Sequence, residues 1–538
     1  MIILQAISKT LKSERLSLKQ DTTISNTLKI TASITSGVFK HYSRSCMRLH
    51  FFNSIFNKNE FEDFIIKYNP EDTEAEEQTL YKNIYDSYCG FLVIKPIPFT
   101  IFGRTCLKTY NKNKTTRKNN KEIKQFRFYP TNREYKASVF GIEFKVNTVA
   151  YQEQDNQVFV CATTSIWVAF QCTSKSFDHI IPTPYDITLI AKGGKTPNKE
   201  GLTNNEIMKA ISEQGLHPII LKFKTVSEAK AVLYAYLKCG IPVILGGPIL
   251  KQKDSYTEDK EHQHAITALG YDMVDREIPP YSYKSNSENK KKTQEKTQLF
   301  LVSSFIEQVY VHDDQIGTFV RMKFDKEISK NEQVEFVDIP WGKFDKNFKN
   351  QKSRFIITLA LIPLYHKIRI PFNKILKIIN EFNSIAFAEK EKKLVWDIYL
   401  TTICEFKNKL RLDNSFEEKE LKIKLITSNL PRFIWVADAY EKYDIEGNTN
   451  PNFSFYFDAT DMENSDVFLF AIHNNIDDYI NRQYYIYSMR SEDREKSSFQ
   501  TRQIFAYYLG DISDNPLNIR EEIQSYYRKK AIEKLPPG

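Results

Sequence analysis

The sequence predicts an α+β fold, and three segments carry that prediction. A helix begins at Cys161, where the strand-like run Gln157–Val160 gives way to apolar residues at helical spacing. Two predicted strands lie downstream: one begins at His264, and the other ends at His312, directly before Asp313. Each segment therefore begins or ends beside a residue that can take part in thiol chemistry.

Length and composition predict several domains. A chain of 538 residues is too long for one ordinary core, and its 41% hydrophobic content is ample for globular folding. We expect an N-terminal α+β region over 1–150, the region with the three segments over 151–330, and a mixed α/β region over 331–538. The first and last of these have no motif that assigns them a role.

Composition also predicts a reducing, cytoplasmic setting. The seven cysteines are odd in number and contain no Cys-x-x-Cys pair, which disfavours structural disulfides and a zinc ribbon. The N-terminal apolar stretch is too short for a signal peptide, and no run approaches 18 apolar residues, so we expect no membrane span. The net charge of +9 from 76 basic and 67 acidic residues is weak evidence for nucleic-acid binding. Abundant Lys, Asn and Ile are typical of AT-rich, bacterial coding.

Before Cys161 the pattern predicts mainly strands. We expect a helix in Phe51–Tyr68, a strand from Tyr88, a solvated hairpin loop in the basic run 112–124, and strands over Gln125–Tyr129 and Ala137–Tyr151.

The region after Cys161 alternates helices and strands. Thr203 and Glu206 form a predicted capping box that begins a helix ending at Gly215. The other predicted elements are helices over Cys161–Gln171 and Ser227–Lys238, strands over Pro242–Gly247, His264–Tyr271, Phe300–Ile306 and Gln308–His312, and a charged loop over Lys284–Thr297.

The C-terminal region predicts further mixed structure without a chemical motif. The predicted elements are an apolar segment at Phe355–Leu364, a helical stretch over Phe372–Leu410, and strands at Phe433–Ala437 and Phe453–Ala459. Its carboxylates Asp438, Asp458 and Asp461 are interpreted as turn and cap residues.

The three segments predict a catalytic triad. A thiol attacks a carbonyl as the thiolate, which a helix N-terminus and a neighbouring imidazolium both favour. Cys161 has the first of these, and His264 is the predicted imidazole. Asp313 is the predicted carboxylate that orients the histidine, with Asp314 as the alternative, because a one-residue shift in the strand would exchange them.

The triad also needs donors for an oxyanion. The backbone N–H of Cys161 is one predicted donor. A side-chain amide upstream would be the second, and of Gln152, Gln154 and Gln157 we assign Gln154 to the oxyanion hole.

These residues resemble the papain-like cysteine peptidase superfamily, in particular its bacterial bacteriocin-processing, C39-like branch. The similarity covers about 152–325 and rests on Gln152-Glu-Gln154-Asp155, Cys161-Ala, the strand Gly240-Ile-Pro-Val-Ile-Leu-Gly, His264-Ala-Ile-Thr-Ala-Leu-Gly-Tyr and Tyr310-Val-His-Asp313-Asp314. The resemblance implies a papain-like core in which a helix carries the cysteine and an antiparallel sheet carries the histidine and the aspartate. It also implies a Cys-His-Asp triad with a glutamine at the oxyanion hole. The chain differs from the branch at Ala162 and Thr163, after the nucleophile, and at Asp314, where the branch has proline.

The predicted function is a cysteine hydrolase that cleaves peptide or isopeptide bonds in a protein or peptide substrate through an acyl-enzyme. The alternatives are an acyl transferase of transglutaminase or deamidase type and a non-catalytic papain-fold interaction protein. A metal site of His262, His264, His312 and Asp313 is a third class, but it leaves Cys161 without a role. We assign no metal and no cofactor, and leave open a regulatory protein partner bound through the flanking regions.

Overall fold

Helices and β-sheets are combined in a mixed α+β architecture, as the sequence predicts. The computed structural model describes residues 18–23, 45–54, 56, 58–68, 78–95, 102–110, 113–118, 121–153, 161–195, 201–251, 259–281, 298–324, 334–337, 353–387, 393–413, 419–462, 467–489, 491–509 and 518–534. In this part of the chain, no helix is both long enough and apolar enough to cross a membrane.

The strands are β1 Leu18–Thr23, β2 Ser45–Phe52, β3 Tyr88–Ile94, β4 Phe102–Leu107, β5 Asn113–Lys118, β6 Lys121–Phe128, β7 Arg133–Val139, β8 Ile142–Thr148, β9 Leu216–Leu221, β10 Val243–Lys251, β11 Asp259–Val274, β12 Phe300–Leu301, β13 Ile306–Asp313, β14 Gly317–Phe324, β15 Val334–Val337, β16 Ser353–Ile357, β17 Leu359–Tyr365, β18 Val395–Thr402, β19 Phe433–Tyr440, β20 Phe453–Asp458 and β21 Phe468–His473. The helices are α1 Lys58–Lys67, α2 Gln78–Ser87, α3 Cys161–Phe177, α4 Pro184–Ala191, α5 Asn204–Ser212, α6 Val226–Leu237, α7 Phe372–Ala386, α8 Ile403–Leu412, α9 Lys419–Thr427, α10 Ile476–Ser488, α11 Ser491–Glu495, α12 Phe499–Leu509 and α13 Asn518–Lys534.

The largest sheet is antiparallel and closes on itself. Its order is β5-β6-β11-β13-β14-β15-β16-β10-β17-β9, and β10 also pairs with β11. A continuous hydrogen-bonded ring is therefore formed by six strands: β11, β13, β14, β15, β16 and β10. Each of the six is paired on both sides. The strands of this sheet come from all three predicted regions of the chain, so its pairing crosses both predicted boundaries.

Gly247 lies where β10 changes partner. Ile244–Gly246 pair with β17, whereas Ile249–Lys251 pair with β16. A Cβ atom on Gly247 would collide with the carbonyl oxygen of Ile356, so only glycine allows this close approach of backbones. The same residue is opposite His264 in the β10–β11 ladder.

Helix α3 packs across the ring and is covered by α4 and α5 on its other side. Its side chains are therefore buried almost all round, which explains the apolar run Ile166–Phe170. The Thr267 hydroxyl of β11 donates a hydrogen bond of 2.9 Å to the Ser165 carbonyl oxygen. This contact fixes the start of α3 beside β11. The predicted capping box is confirmed: Thr203 and Glu206 bond reciprocally at the start of α5.

A second sheet forms the C-terminal core. Its order is β12-β18-β19-β20-β21, and its buried side chains include Trp396 and Trp435. The short strand β12 pairs in parallel with β18, just before the chain enters β13 of the ring. Lys238, at the end of α6, binds Asp397 of β18 at 2.6 Å. The C-terminal sheet is thus joined directly to the segment that carries Asp313.

The structure differs from the predicted elements in several places. The segment Phe51–Tyr68 is the end of β2 followed by α1, and Ala137–Tyr151 is not one strand. Phe140 and Gly141 both have positive φ, of 52° and 88°, and they form the two-residue turn of the β7–β8 hairpin. The run Phe300–Ile306 consists of the two residues of β12, a 3₁₀ turn over Val302–Phe305 and the first residue of β13.

Two further corrections concern the C-terminal region. The stretch Phe372–Leu410 is interrupted by β18, whose β-branched and aromatic residues favour a strand once β19 pairs with it. Asp438 is not a turn residue: it lies in β19, is 1% exposed, and accepts hydrogen bonds from Tyr399 and Ser454. The predicted loop 284–297 lies outside the described residues.

Candidate active site

Cys161 is the first residue of helix α3 and is half-buried. Its Sγ lies 4.0 Å from the carbonyl oxygen of Gln263, on the strand that carries His264. A thiol in this position is close to the unpaired N–H groups and the positive dipole end of the helix, both of which favour the thiolate. The predicted oxyanion residue Gln154 lies outside the described residues, as does Gln157.

His264 lies on β11 and is 3% exposed. Its ring is held edge-on against Phe355 of β16, with the ring centroids 6.5 Å apart. The Cys161 side chain is close enough to His264 to contribute to the raised pKa of the imidazole. The structure therefore brings together two predicted site residues that are 103 positions apart in the chain.

Asp313 is a firmly fixed carboxylate. Its Oδ2 lies 3.2 Å from Nε2 of His264. Its Oδ1 accepts hydrogen bonds from the backbone N–H groups of Gln315, at 2.9 Å, and Ile316, at 3.1 Å. One oxygen is thus held by the turn after β13, and the other faces the imidazole.

Asp314 also faces His264. Its Oδ1 lies 3.7 Å from Nε2, and its side chain is as buried as that of the histidine. Neither carboxylate oxygen has a hydrogen-bond donor at normal geometry, although the phenol of Tyr151 donates to the backbone carbonyl of this residue at 2.9 Å. Burial raises the pKa of Asp314 to about 7. The positive charge of His264 lowers this pKa, whereas the negative charge of Asp313 raises it further.

The two carboxylates share one side because of the turn. Side chains alternate between the faces of a strand, which is why the sequence predicts that only one of them reaches His264. The β13–β14 register shifts between Val311 and Asp313, and Asp314 lies in the turn that leads to Gly317. The alternation ends before Asp314, so that prediction is wrong.

The charge on His264 is favoured by these neighbours. Burial by itself would lower the pKa of His264. The charge and the hydrogen bond of Asp313, with contributions from Cys161 and Asp314, instead raise this pKa well above 6.5. Nε2 faces the carboxylates, which leaves Nδ1 as the ring nitrogen available to the thiol.

His312 faces away from this cluster. Its Nε2 donates to the Val149 carbonyl oxygen at 3.0 Å, and its Nδ1 accepts from the Phe319 N–H at 3.1 Å. Burial lowers its pKa to about 4. The metal site predicted from His262, His264, His312 and Asp313 therefore does not come together, because His312 is committed elsewhere; the side chain of His262 lies outside the described residues.

The other cysteines differ from Cys161 in their surroundings. Burial raises the pKa of the Cys106 and Cys172 thiols to about 12, and it also raises the pKa of Cys239. Cys106 and Cys172 are buried in the core and Cys239 packs partly buried against it, so the thiolate is disfavoured at all three. Cys161 is the cysteine whose side chain is close to a histidine that is itself paired with a carboxylate.

Sequence reasoning missed the contributions of Tyr151 and Phe355. Tyr151 fixes the backbone of Asp314, and Phe355 supports the His264 ring. No local pattern distinguishes either from an ordinary core aromatic, so only the fold identifies them.

No protein-family model matches the chain, and no curated protein matches its sequence.

Proposed function

We propose that this chain is a cysteine hydrolase with a papain-like core, in which Cys161, His264 and Asp313 form the catalytic triad. The observation that carries the proposal is the His264–Asp313 pair at 3.2 Å beside the Cys161 thiol, which lies 4.0 Å from the backbone of the neighbouring Gln263 and contributes to the raised pKa of His264. A helix that presents the cysteine and an antiparallel sheet that presents the histidine and the carboxylate support the same assignment.

The geometry supports a thiolate–imidazolium mechanism. His264 takes the thiol proton at Nδ1, and Asp313 holds the ring in place through Nε2 and stabilises its positive charge. The Cys161 thiolate attacks the carbonyl carbon of a peptide or isopeptide bond, and His264 then gives its proton to the leaving amine. Water, with His264 as base, hydrolyses the resulting thioester and restores the thiol.

The backbone N–H of Cys161 is the proposed first donor to the oxyanion that forms on the attacked carbonyl. Gln154 remains the proposed second donor. The substrate class is a protein or peptide, and a cytoplasmic site of action remains part of the proposal.

An acyl-enzyme of this kind also supports acyl transfer, since an amine can replace water as the acceptor. The two outcomes share the triad and differ only in the second step. Turnover of an acyl-enzyme in the presence of a fluorescent primary amine separates them: hydrolysis leaves the amine unlabelled, whereas a transferase attaches the acyl group to it.

The deciding experiment is labelling of the full chain with an electrophilic thiol probe, followed by mapping of the modified cysteine. We expect modification of Cys161 in the wild type and a loss of at least about 100-fold in rate in His264→Ala, the scale of general-base assistance. His179→Ala is the matched control, because His179 bonds Thr173 and the Ile180 carbonyl and has no part in the triad. Equal labelling of the His264→Ala variant and the wild type would exclude the proposed mechanism.

A further inference from the structure

The second carboxylate at His264 has no role in the proposed triad. Asp313 alone provides the hydrogen bond to Nε2, and its other oxygen is already saturated by the turn. Asp314 is nevertheless buried against the same nitrogen, with neither side-chain oxygen accepting a hydrogen bond of normal geometry. A buried carboxylate whose donors are only the poorly aligned backbone N–H groups of Asp314 and Gln315 is costly, and a bound cation is one way to offset that cost.

The ligand atoms of His264, Asp313 and Asp314 have the spacing of a metal site. All three lie within 4.8 Å of one another. Nε2 of His264 is 3.2 Å from Oδ2 of Asp313 and 3.7 Å from Oδ1 of Asp314. Ligands bound to tetrahedral Zn²⁺ at its usual bond lengths are separated by about 3.3–3.5 Å, so small movements would bring all three onto one ion.

We propose that His264, Asp313 and Asp314 form an inhibitory divalent-metal site that takes Zn²⁺. The side chains of all three are at most 2% exposed, which favours a small ion over an organic ammonium group. Gln315, the next residue in the turn, is exposed, so the site lies directly beneath the surface. Its backbone N–H also holds Asp313 from behind, as an outer-shell donor orients a metal ligand.

The metal would switch off the thiol through the imidazole. Zn²⁺ on Nε2 uses that lone pair, so the neutral ring carries its proton on Nδ1 and cannot accept another from Cys161. The bound metal also replaces the Asp313–His264 hydrogen bond. This inhibitory effect rests on the proposed thiol chemistry, whereas metal binding itself does not.

Binding is tested by equilibrium dialysis of the full chain against Zn²⁺, followed by elemental analysis. We expect the wild type and Cys161→Ser to hold one more zinc per chain than Asp314→Asn, with affinity at this site reduced at least about 10-fold in the latter. Asp458→Asn is the matched control, since Asp458 is also an aspartate at the end of a strand and its carboxylate accepts hydrogen bonds from Thr460 in the following turn. Equal zinc binding by the wild type and Asp314→Asn would overturn the proposal.

A second measurement needs no variant. Co²⁺ bound to the wild type should show ligand-field bands without a thiolate charge-transfer band, because the proposed ligands are nitrogen and oxygen. A strong charge-transfer band for the tightest site would place the metal on a cysteine and contradict the assignment. This keeps the test decisive even where Asp314→Asn fails to fold.

Inhibition is tested by the rate at which iodoacetamide labels Cys161. We expect Zn²⁺ to slow labelling at least about 10-fold in the wild type, a chelator to restore it, and Asp314→Asn to be insensitive. Fast labelling that Zn²⁺ does not change would contradict this inference and leave the proposed hydrolase intact. Zinc binding that depends on Asp314, with an inert Cys161, would instead support the metal site and exclude the hydrolase.

Discussion

At the scale of single residues, Asp313 and Asp314 are neighbours with different surroundings. Asp313 is held by two backbone N–H groups and by His264, whereas the side chain of Asp314 faces the histidine without a hydrogen bond of normal geometry. A carboxylate that must orient an imidazole needs a fixed position, and hydrogen bonds to its second oxygen provide it. The difference between the two aspartates therefore predicts different effects when each is replaced.

Replacing Asp313 should damage the thiol chemistry far more than replacing Asp314. We expect Asp313→Ala to reduce turnover, or labelling of Cys161 in the absence of a substrate, by about 10²–10⁴-fold, because His264 loses its orienting partner. Asp314→Ala in metal-free buffer should cost much less. The test is to measure the rates of both variants, with melting temperatures to confirm that they fold. Wild-type activity in Asp313→Ala would show that Asp313 is not part of the site.

Among the seven cysteines, Cys161 should react fastest with iodoacetamide near pH 7. A thiol with a pKa of about 12, as at Cys106 and Cys172, is ionised in roughly one molecule in 10⁵ at that pH. Mass spectrometry of partially labelled protein gives the order of reaction. Uniform labelling, or faster labelling of Cys239, would contradict the prediction.

At the scale of elements, the β13–β14 turn positions both carboxylates. Asp313 is paired with Gly317 across the turn, and Gly317 has a φ of 140°, which residues with a side chain rarely adopt. The two backbone N–H groups that hold Asp313 belong to the same turn. The geometry of the site therefore depends on the conformation of these five residues.

Gly317→Ala should uncouple the carboxylate from His264. We expect a loss of stability of about 1–3 kcal/mol from backbone strain, together with slower labelling of Cys161. Gly447→Ala is the control, because Gly447 also has positive φ, of 81°, in a turn of the C-terminal region. The control should lose stability and keep the wild-type labelling rate; a labelling rate unchanged in Gly317→Ala would show that the turn does not position Asp313.

At the scale of the whole molecule, buried histidines link stability to pH in both large sheets. Burial lowers the pKa of His312, in the ring of strands, to about 4, and that of His473, in the C-terminal sheet, to about 3. Both are below the ordinary value of 6.5, so the unfolded chain binds protons that the folded chain does not. The stability associated with neutral histidine is therefore present above pH 6.5 and is lost as the pH falls toward the folded-state values.

We expect the protein to become easier to unfold between pH 6.5 and pH 5, by about 2 kcal/mol for each of these histidines. Most carboxylates stay ionised in that window, but Asp314, whose pKa is raised to about 7, takes up a proton in the folded state and offsets about as much as one of these histidines. Urea midpoints across the window test the prediction. His473→Gln should make the urea midpoint depend less steeply on pH. A dependence as steep as that of the wild type would contradict the role of His473 in this loss of stability.

Local sequence was sufficient to predict the helix and the strands that carry the proposed triad. The helix at Cys161, the capping box at Thr203 and the strand through His264 follow from periodicity and from side chains within a few residues. These patterns depend on interactions between residues close in the chain, so they can be recognised from the sequence. The strand β18, by contrast, exists because β19 pairs with it, and periodicity alone favoured a helix there.

The sequence by itself singled out Cys161, His264 and Asp313 and predicted that they lie on a helix and two strands. Tertiary structure alone decided that the strands close into a ring, that His312 faces Val149, and that Asp314 joins Asp313 at His264. The physical reason is that residue type and spacing act locally, whereas strand register and the path of a turn are set by distant parts of the chain. A shift of one residue in β13 changes which side chains meet, and only the packed ring determines that register.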